Sequence, residues 1–249
     1  EIYESVLSAC VNSDGATYEY PLCMTAHCMA INKTVFEAAD AMQYVDADTH
    51  TWTTENFLKA IDAVYDYTGT TVGAVYCSGQ GGDQGTRALI NNLYGGTFTD
   101  AAHTKYTADS AENVKAIQAL VDSKGIGFDA SIAGGDEINL FRQGVLNVAF
   151  CWNIAQQTNT DNNDAVLSST YFPVRDTVEG ADLTGLYSDN EIMKDYGTLM
   201  QYLGDYYQVT GGWAEARTAW WNMLQQVGSG ADVQTAVDEF VATANAAAQ

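Results

Sequence analysis

Basic residues are scarce in this chain: 10 Lys and Arg stand against 32 Asp and Glu, a formal net charge of −22 with a pI near 4.1. Such a surface repels phosphate backbones and anionic lipid, which argues against nucleic-acid binding and against attachment to a membrane through a basic patch. Histidine is nearly absent as well. His27, His50 and His103 sit in unrelated contexts, and no His-rich companion accompanies the cysteines at zinc-ligand spacing. The five cysteines, Cys10, Cys23, Cys28, Cys77 and Cys151, are an odd number without a C-x-x-C pair, so they define neither a disulfide framework nor a structural metal site. Cys77 and Cys151 lie in apolar runs and read as small buried hydrophobes. No run of about 18 apolar residues is long enough to span a membrane, and residues 1–249 contain no signal-peptide pattern. Nucleophile elbows and HExxH are missing, and carboxylates are so numerous that pairing any two as acid and base would be arbitrary.

What is present is a 249-residue chain that is 47% hydrophobic, long enough for a sizeable core, with 15 Tyr and five Trp. Its most pronounced stretch is V-L-N-V-A-F-C-W-N, residues 145–153. The run has strand length and stops abruptly on Trp152 and Asn153 before a polar segment. In open α/β sheets ligands bind where strands end and loops diverge. An indole offers a flat apolar face and an amide offers a donor and an acceptor, the pair that a sugar's C–H face and hydroxyl rim require. Trp152 as a core residue that caps the sheet is the equally weighted alternative.

Along the chain, residues 2–11 read as helical, 12–15 as a turn, and 18–20 and 23–31 as strands parted by Pro21. A short helix follows over 35–41. The T-W-T-T-E run at 51–55 starts a clear helix with Phe57, Leu58, Ile61, Val64 and Tyr65 on one face, and Thr68-Gly69 ends it. A β-branched strand covers 71–76. Residues 78–85, S-G-Q-G-G-D-Q-G, then lead into a helix over 86–94. Their glycines allow close backbone approach, and the helix start offers free N–H donors. Gln84 stands where a dinucleotide fingerprint needs Gly, and Gly85 where a Walker loop needs Lys. This is therefore a polar glycine loop without phosphate chemistry, or a plain connector.

The spacing predicts a helix over 111–123 with Val114, Ile117, Leu120 and Val121 inward, closed by Gly125, and another over 138–143. Residues 158–164, T-N-T-D-N-N-D, read as a loop or a join and lack the Gly and terminal Glu of a calcium loop. Residues 171–175 read as extended and 191–207 as helical. Trp213, Arg217, Trp220, Trp221 and Leu224 share one face of a helix over 213–227, and Asp232 caps the last helix.

Taken in order, Y-E-Y-P-L (18–22), M-A-I-N-K-T-V-F (29–36), T-W-T-T-E-N-F (51–57), the glycine loop, L-F-R-Q-G (140–144), F-C-W-N (150–153), Y-F-P-V-R (171–175) and V-D-E-F-V (237–241) resemble family 1 extracellular solute-binding proteins of ABC importers. The resemblance implies a helix-rich α/β fold of the type II periplasmic-binding-protein kind, with a small sheet flanked by helices. It implies a non-enzymatic sugar or oligosaccharide binder without a cofactor, partnered by ABC permease subunits. It also implies an extracytoplasmic place, periplasmic or as a cell-surface lipoprotein. The family's first βα units do not precede Glu1, and only 158–164 stands where the chain should return to the first lobe. Residues 1–249 therefore resemble the second lobe alone. By the same resemblance Trp152 is a ring-stacking residue with Asn153 beside it, Asp83 and Gln84 face the cleft, and Trp213 is a second aromatic near the cleft or hinge. Ile31 replaces the aromatic that many relatives carry before Asn32. Two other readings stay open: a carbohydrate-active enzyme or its accessory module, and a scaffold fragment that binds no small ligand.

Overall fold

The structure is a computed structural model and describes residues 10–11, 15–19, 23–24, 27–78, 83–133, 135–153, 167–169, 175–176 and 211–249. The helix expected over 2–11, the loop or join at 158–164 and the helix over 191–207 lie largely or wholly outside them, as does most of the extended run at 171–175.

Strands β1 (Cys23–Met24), β2 (His27–Asn32), β3 (Gly73–Ser78), β4 (Ile126–Ala133), β5 (Val148–Asn153), β6 (Leu167–Ser169) and β7 (Arg175–Asp176) form three small sheets. β2 lies between β5 and β6 with both pairs antiparallel, β3 pairs with β4 in parallel, and β1 pairs with β7 antiparallel. The sheets of β3 and β5 are tied where the Val72 carbonyl accepts from the amides of Asn147 (2.8 Å) and Val148 (2.9 Å). Helices α1 (Lys33–Ala38), α2 (Thr54–Thr68), α3 (Asp83–Tyr94), α4 (Ala111–Asp122), α5 (Asp136–Arg142), α6 (Trp213–Gly228) and α7 (Val233–Ala247) pack around these strands.

Local chemistry explains most helix ends. Thr53 accepts from the Asn56 amide to cap α2, Glu55 sits in its first turn, and Gly69 at φ 68° closes it in the left-handed conformation that glycine adopts without cost. Asp232 caps α7 by accepting from the Thr235 amide at 2.9 Å. One continuous core takes Phe57, Ile61 and Val64 of α2, Ile117 and Leu120 of α4, Trp220 and Leu224 of α6 and Phe240 of α7. The α4 face is turned from the expected one: Asn113 and Ala116 are buried, whereas Val114 and Val121 are only half-buried. Asn113 faces inward because its Nδ2 donates to the Thr97 carbonyl at 2.7 Å, which closes the loop leading into the helix. The apolar spacing could not reveal this, since the residue that turns the helix is polar.

β4 is a strand that residue pattern does not announce. Asp129, Ala130 and Ser131 are exposed in its middle, so the strand lacks the alternation of a half-buried element and follows from its pairing with β3. Cys77 and Cys151 are buried, as their apolar surroundings imply. Burial, helped by the Asp129 carboxylate, pushes the Cys77 thiol up to about 12, where it is inert.

Candidate functional site

The first turn of α3 carries two of the candidate residues. Asp83 and Gln84 open the helix directly after the glycine loop. Gly85 follows, and a Cβ there would lie 2.7 Å from the Phe150 carbonyl oxygen and 2.8 Å from the Cys151 Cβ. The turn therefore rests on the backbone of β5, two residues before Trp152 and Asn153. Since the opposing atom is strand backbone, it has little freedom to retreat. Gly85→Ala should cost about 1–3 kcal/mol of stability by overpacking, read as a lower urea midpoint.

Arg87, one turn on, is 2% exposed and reaches the other candidate aromatic. Its guanidinium carbon stands 4.5 Å from the centre of the Trp213 ring. Trp213 opens α6 and is half-buried, so its indole keeps contact with solvent. The turn before it is held in place: the Tyr106 hydroxyl donates to the Gly211 carbonyl at 3.1 Å, and Asn245 on α7 brackets the Tyr106 backbone with bonds of 2.8 and 3.0 Å.

Trp152 requires a correction. Its side chain is 0% exposed and meets Phe141 of α5 edge-on, with ring centres 5.3 Å apart, beside Ala30 and Ala149. A ring closed on by β2 and α5 cannot present a face to a sugar, so in this structure Trp152 is a core residue. Asn153, the last residue of β5, pairs with His27 of β2. Asp83 and Gln84 thus lie at the start of α3, Asn153 ends the strand against which Gly85 packs, and Arg87 of α3 reaches Trp213.

Residue patterning did not single out Glu137. It is 0% exposed on α5, accepts from the Tyr76 hydroxyl through Oε2 and from the Phe150 amide through Oε1 at 2.6 Å, and also receives the Cys151 amide. Burial pushes its carboxyl up to about 7, against the pull of those hydrogen bonds. The available signal was an acid four residues before Phe141 and so on the same helix face as that core residue. Among the described residues, no group of three or more His, Cys, Asp or Glu is placed to hold a metal ion. Among them, too, no helix is long and apolar enough to cross a membrane.

Comparison of the whole chain with solved structures gives high-probability matches that align nearly all of it. An ABC transporter solute-binding protein from Thermotoga lettingae, bound with α-D-tagatose, superposes with a TM-score of 0.72 at 13% identity, over 100% of this chain and 76% of its own. A sugar transporter protein from Arthrobacter chlorophenolicus with bound laminaribiose gives 0.67 at 10% identity, over 100% and 76%. The GacH receptor of Streptomyces glaucescens, solved unliganded and with acarbose, gives 0.63 at 18% identity, over 99% and 74%. This chain has the fold of ABC-transporter solute-binding proteins. That fold carries the expected helix-rich α/β arrangement with a small sheet. No protein-family model and no curated protein matches the sequence.

Proposed function

We propose that this chain is a carbohydrate-binding lobe of an ABC-transporter solute-binding protein, one that captures a sugar or oligosaccharide for import and releases it unchanged. The observations that support this reading are the packing of Gly85 in the first turn of α3 against β5 and the contact of Arg87, one turn further on, with the half-buried indole of Trp213. A pyranose needs an apolar surface for its C–H face and fixed donors and acceptors for its hydroxyls. Trp213 supplies the first; Asp83, Gln84 and Asn153, with the backbone N–H donors of the first turn of α3, supply the second. On this reading the partners are ABC permease subunits, and capture takes place outside the cytoplasm, in the periplasm or on a lipid-anchored form at the cell surface. The organisation of residues 1–249 as a second lobe, with a join at 158–164, is part of the proposal and rests on the order of the sequence motifs.

An enzymatic reading finds no support at Glu137. Its pKa near 7 would suit acid–base work, but it is sealed against Tyr76 and β5 with 0% exposure. The scaffold reading is favoured by one observation, the burial of Trp152, which removes one of the two aromatics available for stacking. Calorimetric titration with tagatose, laminaribiose and acarbose separates the three. Sugar capture predicts saturable heat with at least one of them and full recovery of the sugar by chromatography. It also predicts a roughly 5–30-fold loss of affinity in Trp213→Ala, the equivalent of about 1–2 kcal/mol for a stacked ring. Product formation would establish an enzyme, and silence across the panel would favour the scaffold.

A further inference from the structure

Arg87 is an arginine placed where a core side chain is expected. It is 2% exposed, and its guanidinium carbon lies 4.5 Å from the Trp213 ring centre and 5.1 Å from that of Phe98. Phe98 is itself fixed, with Tyr106 and Trp220 packed edge-on at 5.7 and 5.3 Å and Phe240 at 5.8 Å. Trp213 meets the same phenyl ring at 6.1 Å with the planes 76° apart. The guanidinium therefore stands at the margin of a rigid aromatic cluster and extends it to the half-buried indole. A planar, delocalised cation lies flat on an aromatic face in a way that an ammonium or thioether cannot, and the attraction grows as water is removed.

The backbone of Trp213 is fixed separately from its ring. Gly212 has φ 67°, and a Cβ there would lie 2.3 Å from the Ala247 carbonyl oxygen at the end of α7, so the chain enters α6 through a position where only glycine fits. This anchors the Trp213 backbone but leaves its side-chain torsions open. Of the contacts that orient the ring, the one from α3 comes from Arg87, four residues after Asp83. The same helix thus supplies the polar start of the candidate site and the group that stacks on its aromatic.

We propose that Arg87 is a positioning residue: it occupies one face of the Trp213 indole and sets the ring plane, so that a ring-shaped sugar stacking on the other face is favoured over an acyclic polyol. This rests on the reading of Trp213 as the ligand platform, but the positioning itself is tested without ligand. Arg87→Met and Arg87→Lys are each made with Trp213 and with Trp213→Phe, and the near-ultraviolet circular dichroism of each pair is subtracted to isolate the Trp213 signal. That signal should fall at least about twofold in Arg87→Met and lie between the two in Arg87→Lys, which keeps the charge but not the planar stack. An undiminished Trp213 signal in both variants would overturn the proposal. If Arg87→Met does not fold, the Arg87→Lys pair supplies the deciding difference.

The second arm measures affinity for laminaribiose, which offers pyranose faces, and for ribitol, which has none. Arg87→Met should weaken laminaribiose roughly fivefold and leave ribitol unchanged, because only the first depends on the ring plane. Equal losses for both ligands would mark Arg87 as a general structural residue and refute the selectivity claim. A diminished Trp213 signal in a protein that binds neither ligand would uphold the positioning while refuting the sugar-binding function it serves.

Discussion

Glu137→Leu should cost the protein roughly 3–5 kcal/mol, seen as a large drop in urea midpoint. The substitution withdraws one acceptor from three donors at once, the Tyr76 hydroxyl and the amides of Phe150 and Cys151, at a site with no exposure to water. Each buried donor left without its acceptor costs about 1–3 kcal/mol. Glu137→Gln separates geometry from charge. The amide keeps one oxygen as acceptor for the strand and turns an NH2 donor toward Tyr76, whose hydroxyl can rotate to accept it, so the pH-dependent part of the difference reports the titration. Because the fold raises the carboxyl from 4.5 to about 7, the folded state binds the proton more tightly than the unfolded state does. That contribution is fully present below about pH 4.5 and is lost as the pH rises through 7. The advantage of the wild type over Glu137→Gln should therefore shrink by on the order of 3 kcal/mol across that window. A difference that does not vary with pH would mean that Glu137 does not titrate there. Exposed carboxylates act in the opposite sense. Asp46, Asp100 and Asp232 are held below the usual carboxylate range chiefly by the amides of Thr49, Thr104 and Thr235, so they lose stability as the pH falls. The comparison with Glu137→Gln cancels them.

Trp152→Ala has an expected cost of about 3–5 kcal/mol, the range for emptying a buried aromatic site. The loss falls on the contact with Phe141 and on the packing of α5 against β5 and β2. Trp152→Phe should recover much of that stability, since a phenyl ring can still meet Phe141, and it should leave sugar affinity unchanged. If instead Trp152→Phe remained as stable as the wild type but lost binding, the indole would be a ligand group after all, and the role now given to Trp213 would belong to it.

The elements that sequence patterning reaches are those whose cause is local. Thr53 and Gly69 at the two ends of α2, Asp232 ahead of α7 and the apolar run of β5 each act within a few residues of chain. The order of motifs along the whole chain pointed to the solute-binding fold, although no single motif is specific. What the sequence hid depends on groups brought together from afar. β4 exists because β3 lies beside it, α4 is rotated because Asn113 bonds Thr97, and Trp152 lost its expected role because α5 folds over it. The carboxyl of Glu137 and the guanidinium of Arg87 are buried ionisable groups, and only tertiary contacts show what holds them. Among the site candidates, Asp83 and Gln84 read as the end of the glycine loop, whereas the structure places them in the first turn of α3, and the link from α3 to Trp213 was not legible.

The central claim, that the start of α3, the end of β5 and Trp213 form a sugar site, is tested most directly by a crystal structure of this chain soaked with the saccharide that gives the largest heat in the titration panel. The account predicts a sugar ring lying flat on the face of Trp213 opposite Arg87, with its hydroxyls bonded to the first turn of α3 and to Asn153. A sugar bound elsewhere on the surface, or seated against Trp152 after α5 has moved aside, would contradict it.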